Sequence, residues 1–383
     1  MKKKSILLVA MVVIPGLWTM ATTAIGVNYQ IIDVGTFGGF YSIAHSINES
    51  GQVAGRSANV NNKFRAFLWD TGSGLQNLGL VGNNDESQGI AINNAGQVVG
   101  NLHRQGDGYY TPFLWDSLNG MRVIGDHATP FAINDAGQVV GQATALSNDY
   151  CAFLWDETNG MQDLGTLSDN SYSGAYSINN LGQVVGYSFI YDVFDDQAWI
   201  WDNVNGMREI GGGAMEGYDI NNHGQVVGRM RTSTGDAHAF LWDAVNGIQD
   251  LGTLHDWEYS DAQGINDFGQ IVGFSESTPA TLTHNHAFLY DDGRMIDLNQ
   301  LLPPDSGWVL RMAMDINNKG YIVGTGEFNG KIHAFLLIPE PATLLLLGFG
   351  AVMVRRPTIY YFLLKIYDCR PDVSPSTSRP TSP

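Results

Sequence analysis

The sequence predicts an all-β fold, a seven-bladed β-propeller of four-stranded antiparallel blades closed by the N-terminal strand, and three observations carry that prediction. A phrase of the form INxxGQVVG occurs seven times with minor variation, its first glycine falling at 51, 96, 137, 182, 224, 269 and 320. Successive copies lie 41 to 51 residues apart, a period typical of repeats that bury their apolar faces against one another. Each period holds four short runs, read in 175–211 as AYSINN, GQVVGYS, QAWIWD and NGMREIG. Runs of β-branched and aromatic residues bounded by turn chemistry specify antiparallel strands. The third observation is that the two ends of the chain complement each other.

The turn between the first and second strands is N-x-x-G in all seven copies, from Asn48 with Gly51 to Asn317 with Gly320. Asn at the first position of a tight turn bonds the backbone two residues on, and Gly supplies the positive φ of the closing residue. The turn between the third and fourth strands is D-x-x-N-G at Asp116, Asp156, Asp202 and Asp243, looser at Asp70 and contracted at Asp291. Its Asn-Gly pair is again a hairpin signal. These Asp/Asn/Gly clusters lack the alternating oxygen ligands and distant Glu of a calcium loop.

The third strand reads RAFLWD, TPFLWD, CAFLWD, QAWIWD, HAFLWD, HAFLYD and HAFLLI. Alternation places Phe67, Phe113, Phe153, Trp199, Phe240, Phe288 and Phe335 on one face, a stripe to bury between sheets. Three residues before the Ile of the first strand stand Ala44, Gly89, Ala175, Gly217, Ala262 and Ala313, with Pro130 the exception; small residues suit a crowded inner strand. His238, His286 and His333 share one repeat position and read as strand positions, since a catalytic histidine would be singular.

After HAFLLIP at 333 the seventh repeat has no fourth strand, while YQIIDVGTFGG at 29 matches MQDLGTL at 161 and IQDLGTL at 248. Tyr29 to Thr36 is therefore expected to complete the unit whose other strands span 311–338. A shared unit closes a ring and removes its exposed edges, for which an open solenoid has no use.

Residues 1–24 read as a secretory signal: Lys2 to Lys4, an apolar run to Met20, and Thr22 and Ala24 placed for signal-peptidase cleavage. Within 5–338 there are 12 basic and 35 acidic residues. That field excludes nucleic acid as a partner; it is compatible with cations, with neutral hydroxyl-rich polymers, and with solubility alone. The only two cysteines, Cys151 and Cys369, do not make a disulfide scaffold, so stability must come from the core of 25–338.

HAFLWD, GMxDLGTL and INxxGQVVG together resemble the HAF repeats of bacterial extracellular proteins over nearly all of 29–338. The stretch IPEPATLLLLGFGAVMVRRP from Ile338 resembles a PEP-CTERM sorting signal, with Pro339-Glu340-Pro341, an apolar helix, and then Arg355 and Arg356. The resemblance implies an exported, surface or matrix protein of an exopolysaccharide-forming Gram-negative bacterium. It also implies transient membrane anchoring and an exosortase-type processing enzyme as partner, over a signal spanning 339–356. The chain departs from the pattern in the 27-residue tail 357–383, rich in Pro, Ser and Thr and expected to be disordered.

In an up-and-down unit the two tight turns share one rim, and the variable connections share the other, where repeat proteins bind. Those connections hold DGYY, SDNSYSG, YSFIYDVFDD, HDWEYSD and PPDSGW. Tyr109, Tyr191, Asp192, Asp195, Asp196, Trp257, Tyr259 and Trp308 are the candidate ligand-binding residues, because aromatic rings stack on sugars while carboxylates bond hydroxyls. No cofactor is called for, and no ligand set specifies calcium, although the carboxylates are compatible with it. A glycan- or matrix-binding surface protein, a structural matrix component and a polysaccharide hydrolase or lyase are the three expectations. No catalytic motif stands out, and the sequence cannot bring any two carboxylates to a working separation.

Overall fold

A computed structural model describes residues 28–340 apart from 107, 145–149, 169–170, 191–194, 256 and 278–284. β1 is Tyr29–Asp33, and β2–β5 are Gly38–Ile47, Val53–Asn59, Phe64–Asp70 and Gly74–Asn77. β6–β9 are Glu86–Ile92, Val98–His103, Tyr110–Asp116 and Gly120–Val123. β10–β13 are Ala128–Ile133, Val139–Thr144, Tyr150–Asp156 and Gly160–Gly165. β14–β17 are Ser171–Ile178, Val184–Ile190, Asp195–Asp202 and Gly206–Glu209. β18–β21 are Ala214–Ile220, Val226–Arg231, Ala237–Asp243 and Gly247–Asp250. β22–β25 are Tyr259–Ile265, Ile271–Glu276, His286–Asp291 and Arg294–Asp297, followed by a 3-10 turn at Leu298–Leu301. β26–β28 are Trp308–Ile316, Ile322–Phe328 and Lys331–Pro339.

Every repeat folds as a meander of antiparallel strands, giving a propeller-like all-β fold. Five sheets are four-stranded and the sixth is eight-stranded in the order β26-β27-β28-β2-β3-β4-β5, with β1 paired to β28. The sheets thus number six rather than seven, because a parallel bridge from Tyr41 to Ile332 joins β2 to β28 and merges two units. The expected apolar helix of 342–354 lies outside the described residues. Among the described residues no helix is long and apolar enough to cross a membrane.

The N-x-x-G turns do more than reverse the chain. Asn134 Oδ1 accepts from the amides of Ala136 and Gln138, while its Nδ2 donates to Gln138 Oε1 at 2.8 Å and to the Asn179 carbonyl of the next repeat at 3.2 Å. The same interrepeat bond runs from Asn48 to Asn93, Asn93 to Asn134, Asn179 to Asn221, Asn221 to Asn266 and Asn266 to Asn317. It returns from Asn317 to the Asn48 carbonyl at 3.0 Å. A second circuit runs one residue on, from the Glu49 amide to Asn94 and finally from the Asn318 amide to Glu49 Oε1. Buried amides in such a closed circuit have every donor and acceptor used, which makes them adhesive rather than available.

Phe67, Phe113, Phe153, Trp199, Phe240, Phe288 and Phe335 are all fully buried, as alternation predicted. Ala44, Ala175, Ala262 and Ala313 on the inner strands are likewise buried. β1 meets β28 antiparallel, with Tyr29 opposite Pro339 and Asp33 opposite Phe335, so the N-terminal run completes the seventh repeat. Between repeats, buried serines act as rivets: the Ala66, Ala152, Ala239 and Ala334 amides donate to Ser87, Ser173, Ser260 and Ser42 Oγ at 2.8–3.0 Å.

Candidate functional site

The first strands β2, β6, β10, β14, β18, β22 and β26 line the axis of the ring. Behind the asparagine circuits they enclose a cavity of about 270 Å³, into which His45, Phe131, Tyr176, Tyr218, Gln263 and Met314 project. One position nearer the turns stand Asp219 and Asp315, where other repeats carry Ser, Ala or Gly. Asp315 Oδ2 accepts from Ser46 Oγ and the Ile47 amide, both at 2.9 Å. Asp219 accepts from Ser177 Oγ at 2.7 Å and the Ile265 amide at 2.9 Å. Asp315 therefore ties the seventh repeat to the first, and Asp219 ties the fifth to the fourth and the sixth.

These axial groups set a pH dependence. Burial, with the Asp219 charge adding to it, pushes the Asp315 carboxyl up to about 7; burial also raises Asp219. Desolvation, helped by Arg56, lowers His45 to about 3. A carboxyl raised in the folded state lends stability that is full below its unfolded value of about 4 and is lost as pH rises to about 7. The depressed imidazole acts oppositely, its contribution being complete above about 6.5 and lost as pH falls toward 3. In the wild-type protein the two trends offset between about pH 4 and 6.5. Asp315→Asn removes the ionisation and keeps the acceptor for Ser46 and Ile47 but not the oxygen that accepts from the Ile316 amide, so it is expected to gain up to about 4 kcal/mol on the wild type between pH 4 and 8, less the lost bond and the screening by cavity water. Urea unfolding across that range measures the gain, and parallel profiles for the two proteins would contradict it.

Further along the same strands, toward the rim of the long connections, the axis is lined by charges and rings. Glu216 and Arg229 are cross-strand partners on β18 and β19, with Nη2 and Oε2 2.5 Å apart. Tyr218 OH donates to Glu216 Oε2 at 2.6 Å and Tyr176 OH to Oε1 at 3.3 Å. Arg229 Nε lies 3.7 Å from Asp261 Oδ1, and neither atom has a hydrogen-bond partner. Burial pushes Asp261 up to about 6 against the pull of Arg229, and burial likewise raises Glu276 and both tyrosine hydroxyls. Tyr176 stacks on Tyr187 at 5.2 Å, Gln142 Nε2 bonds Tyr187 OH at 3.0 Å, and Tyr172 stacks on Phe189 at 5.2 Å. The result is a half-buried cluster in which stacked aromatic rings meet a carboxylate-guanidinium group, with Tyr176 and Tyr218 also lining the axial cavity.

Of the candidate binding residues, Asp196 lies on β16 opposite Phe189 of β15, and its charge adds to the raised hydroxyls of Tyr176 and Tyr187. Tyr259 opens β22 two residues before Asp261 and pairs with Glu276 across the sheet. Asp195 opens β16, and Tyr191 and Asp192 lie outside the described residues. Tyr109, half exposed, stacks on His127 at 4.0 Å. Trp308 stacks on Phe328 at 4.8 Å and meets Phe335 edge-on, within a core cluster. Trp257 packs on another core cluster and is edge-on to His255 and His286. Pro339 ends β28 and the Glu340 amide donates to the Asn28 carbonyl, whereas Ala24, Pro341, Arg355 and Arg356 lie outside the described residues. The recurrent histidines are strand residues, as expected, and each pairs with an acid of the outer strand: His238 with Asp250, His286 with Asp297, and His333 with Asp33.

Sequence reasoning missed Glu216, Tyr218, Arg229 and Asp261 because it sought function in the connections. The available signal was EGYDI at 216–220, which puts Glu216 and Tyr218 two residues apart on one inner strand, with Asp261 at the position of Glu216 in the next repeat.

Residues 194–314 match a family described as Protein of unknown function (DUF3466). No curated protein matches the chain. Among solved structures, the β-propeller domain of the Trilobed protease from Pyrococcus furiosus is similar at 10% identity and a TM-score of 0.51, over 78% of this chain and 95% of that one. An acylaminoacyl peptidase from Pyrococcus horikoshii follows at 12% identity and a TM-score of 0.45, over 74% of this chain and 50% of that one. AofleA from Arthrobotrys oligospora is similar at 9% identity and a TM-score of 0.40, over 70% and 87%. The first of these likenesses supports the propeller fold and says nothing of activity.

Proposed function

We propose that this chain is an exported seven-bladed propeller that binds a hydroxyl-rich oligosaccharide at the axial cluster of its variable rim. Seven blades are supported by the seven-membered asparagine circuit, with the eight-stranded sheet counted as two blades joined by one bridge. The observation that carries the ligand class is the meeting of tyrosine rings with Glu216, Arg229 and Asp261 in a half-buried cluster, from which Tyr176 and Tyr218 reach the axial cavity. Ring faces take up the C–H faces of a sugar while fixed carboxylates and a guanidinium bond its hydroxyls. The test is a glycan array probed with the purified protein. Tyr176→Ala and Asp261→Asn are each expected to weaken the strongest signal tenfold or more. An array silent for the wild type would sink the reading and leave a structural matrix role.

One observation favours a second reading, a polysaccharide hydrolase. Asp261 is a carboxyl that burial raises to about 6, with Arg229 between it and Glu216, and a carboxyl that keeps its proton near neutral pH is one requirement for acid-assisted glycoside cleavage. Reducing-end release that disappears in Asp261→Asn while binding persists would establish it.

Export and sorting belong to the same proposal: signal peptidase cuts after Ala24 and an exosortase-type enzyme acts at Pro339-Glu340-Pro341. Processing there leaves β28 whole, because that strand ends at Pro339. The intact mass of the protein recovered from its host reads both cuts, and a chain retaining either terminus would contradict the scheme.

A further inference from the structure

We infer that His255, His286 and Asp297 form a binding site for a divalent transition-metal ion, with zinc the best fit. Among the described residues this is the one place where three ligating groups converge, their donor atoms all within 4.8 Å of one another. The His–Asp pair of the third and fourth strands recurs in repeats five, six and seven, but only in the sixth does a third group approach. His255 comes from the connection between β21 and β22 and places Nε2 3.4 Å from Asp297 Oδ2. That is the edge of a tetrahedron with metal–ligand bonds of about 2.0–2.1 Å. His286 Nδ1 lies 2.7 Å from the same oxygen. There a hydrogen bond gives way to a shared metal when the ring carries its proton on Nε2 and the two atoms part by about 0.6 Å.

The surroundings suit a ligand set. Asp297 Oδ1 accepts from the Asn299 amide and Nδ2, both at 2.9 Å, which fixes the carboxylate as outer partners fix metal ligands. Trp257 walls the site edge-on, 5.4 Å from His255 and 5.2 Å from His286. His255 is one of six non-glycine residues described with positive φ, at 53°, a conformation that needs a local reason. Its turn is closed by the Trp257 amide on the Leu254 carbonyl and Thr253 Oγ1 on the Trp257 carbonyl. Two imidazoles select zinc, cobalt or nickel over calcium and magnesium. Three protein ligands leave a fourth position open to water or to a ligand oxygen.

The experiment is equilibrium dialysis of the full chain, stripped with EDTA, against Zn²⁺ and against Co²⁺. One tightly held ion per chain is expected, with visible cobalt bands of low coordination number and no displacement by excess Ca²⁺. His255→Ala, an exposed loop change, should lower affinity at least tenfold with an unaltered unfolding midpoint in EDTA. His238→Ala, which alters the equivalent pair lacking a third group, should leave binding intact. Binding no weaker in His255→Ala than in the wild type, displacement by Ca²⁺, or no stoichiometric ion in the wild type would overturn the assignment.

Discussion

A variant lacking Tyr29–Asp33 is expected not to form the closed ring at all. β1 supplies the outer strand of the seventh repeat; Tyr29 is buried in one core cluster, where Ile31 packs with it, while Ile32 packs beside Val34 in the next. Burying such side chains is worth about 1.5–3 kcal/mol each. With the ladder to β28 and the His333–Asp33 pair also gone, the loss is comparable to the whole stability of a domain, about 5–15 kcal/mol. The stranded β28 would also present an unpaired edge that invites aggregation. The measurement is the soluble yield and circular dichroism of the deletion variant, with and without a synthetic peptide spanning Tyr29–Thr36. Restoration of fold by the peptide is the expected result; a deletion variant that unfolds with the wild-type midpoint would contradict this role for β1.

The second large effect is expected at Gly186, and at the equivalent Gly55, Gly100, Gly141, Gly228, Gly273 and Gly324. A β-carbon on Gly186 would fall inside the Gly174 carbonyl oxygen of the paired strand and 2.8 Å from the Trp199 ring beneath. The partner strand is bulged at this level, with its register slipping between Ala175 and Ser177, which brings its carbonyl close. Neither backbone oxygen nor buried indole has room to move, so Gly186→Ala should cost about 3 kcal/mol or more. Gly206, whose φ of 69° serves a turn with nothing within 4 Å, should tolerate Asn far better. Denaturant midpoints of the two variants compare the effects directly, and equal losses would refute the close-approach argument.

These glycines show how much of the fold was legible in the sequence. Turn chemistry and alternation are local properties, so Asn48 to Gly51 and the Phe67 stripe declared themselves in every copy. The complementarity of the ends was also readable, because β1 carries the sequence of a fourth strand. The second glycine of INxxGQVVG was not explained by its own strand: its cause is a carbonyl and a ring on the two flanking strands of the same repeat. The same holds for the site. Tyr109 and Trp308 were chosen as loop aromatics, and the fold stacks them on His127 and Phe328. Glu216, Tyr218 and Asp261 sit on inner strands that pattern reading assigns to the core, and only the radial arrangement of strands turns those positions toward a common axis. The repeated asparagines, which look like ligand groups one copy at a time, are consumed by bonds to the next copy.

The claim that function lies at the axial cluster of the variable rim is tested most directly by hydrogen exchange of the protein with and without the strongest array oligosaccharide. Slowed exchange in β14, β18, β19 and β22, around Tyr176, Glu216, Arg229 and Asp261, is the expected result. Protection confined to the N-x-x-G turns, or none at saturating oligosaccharide, would contradict it.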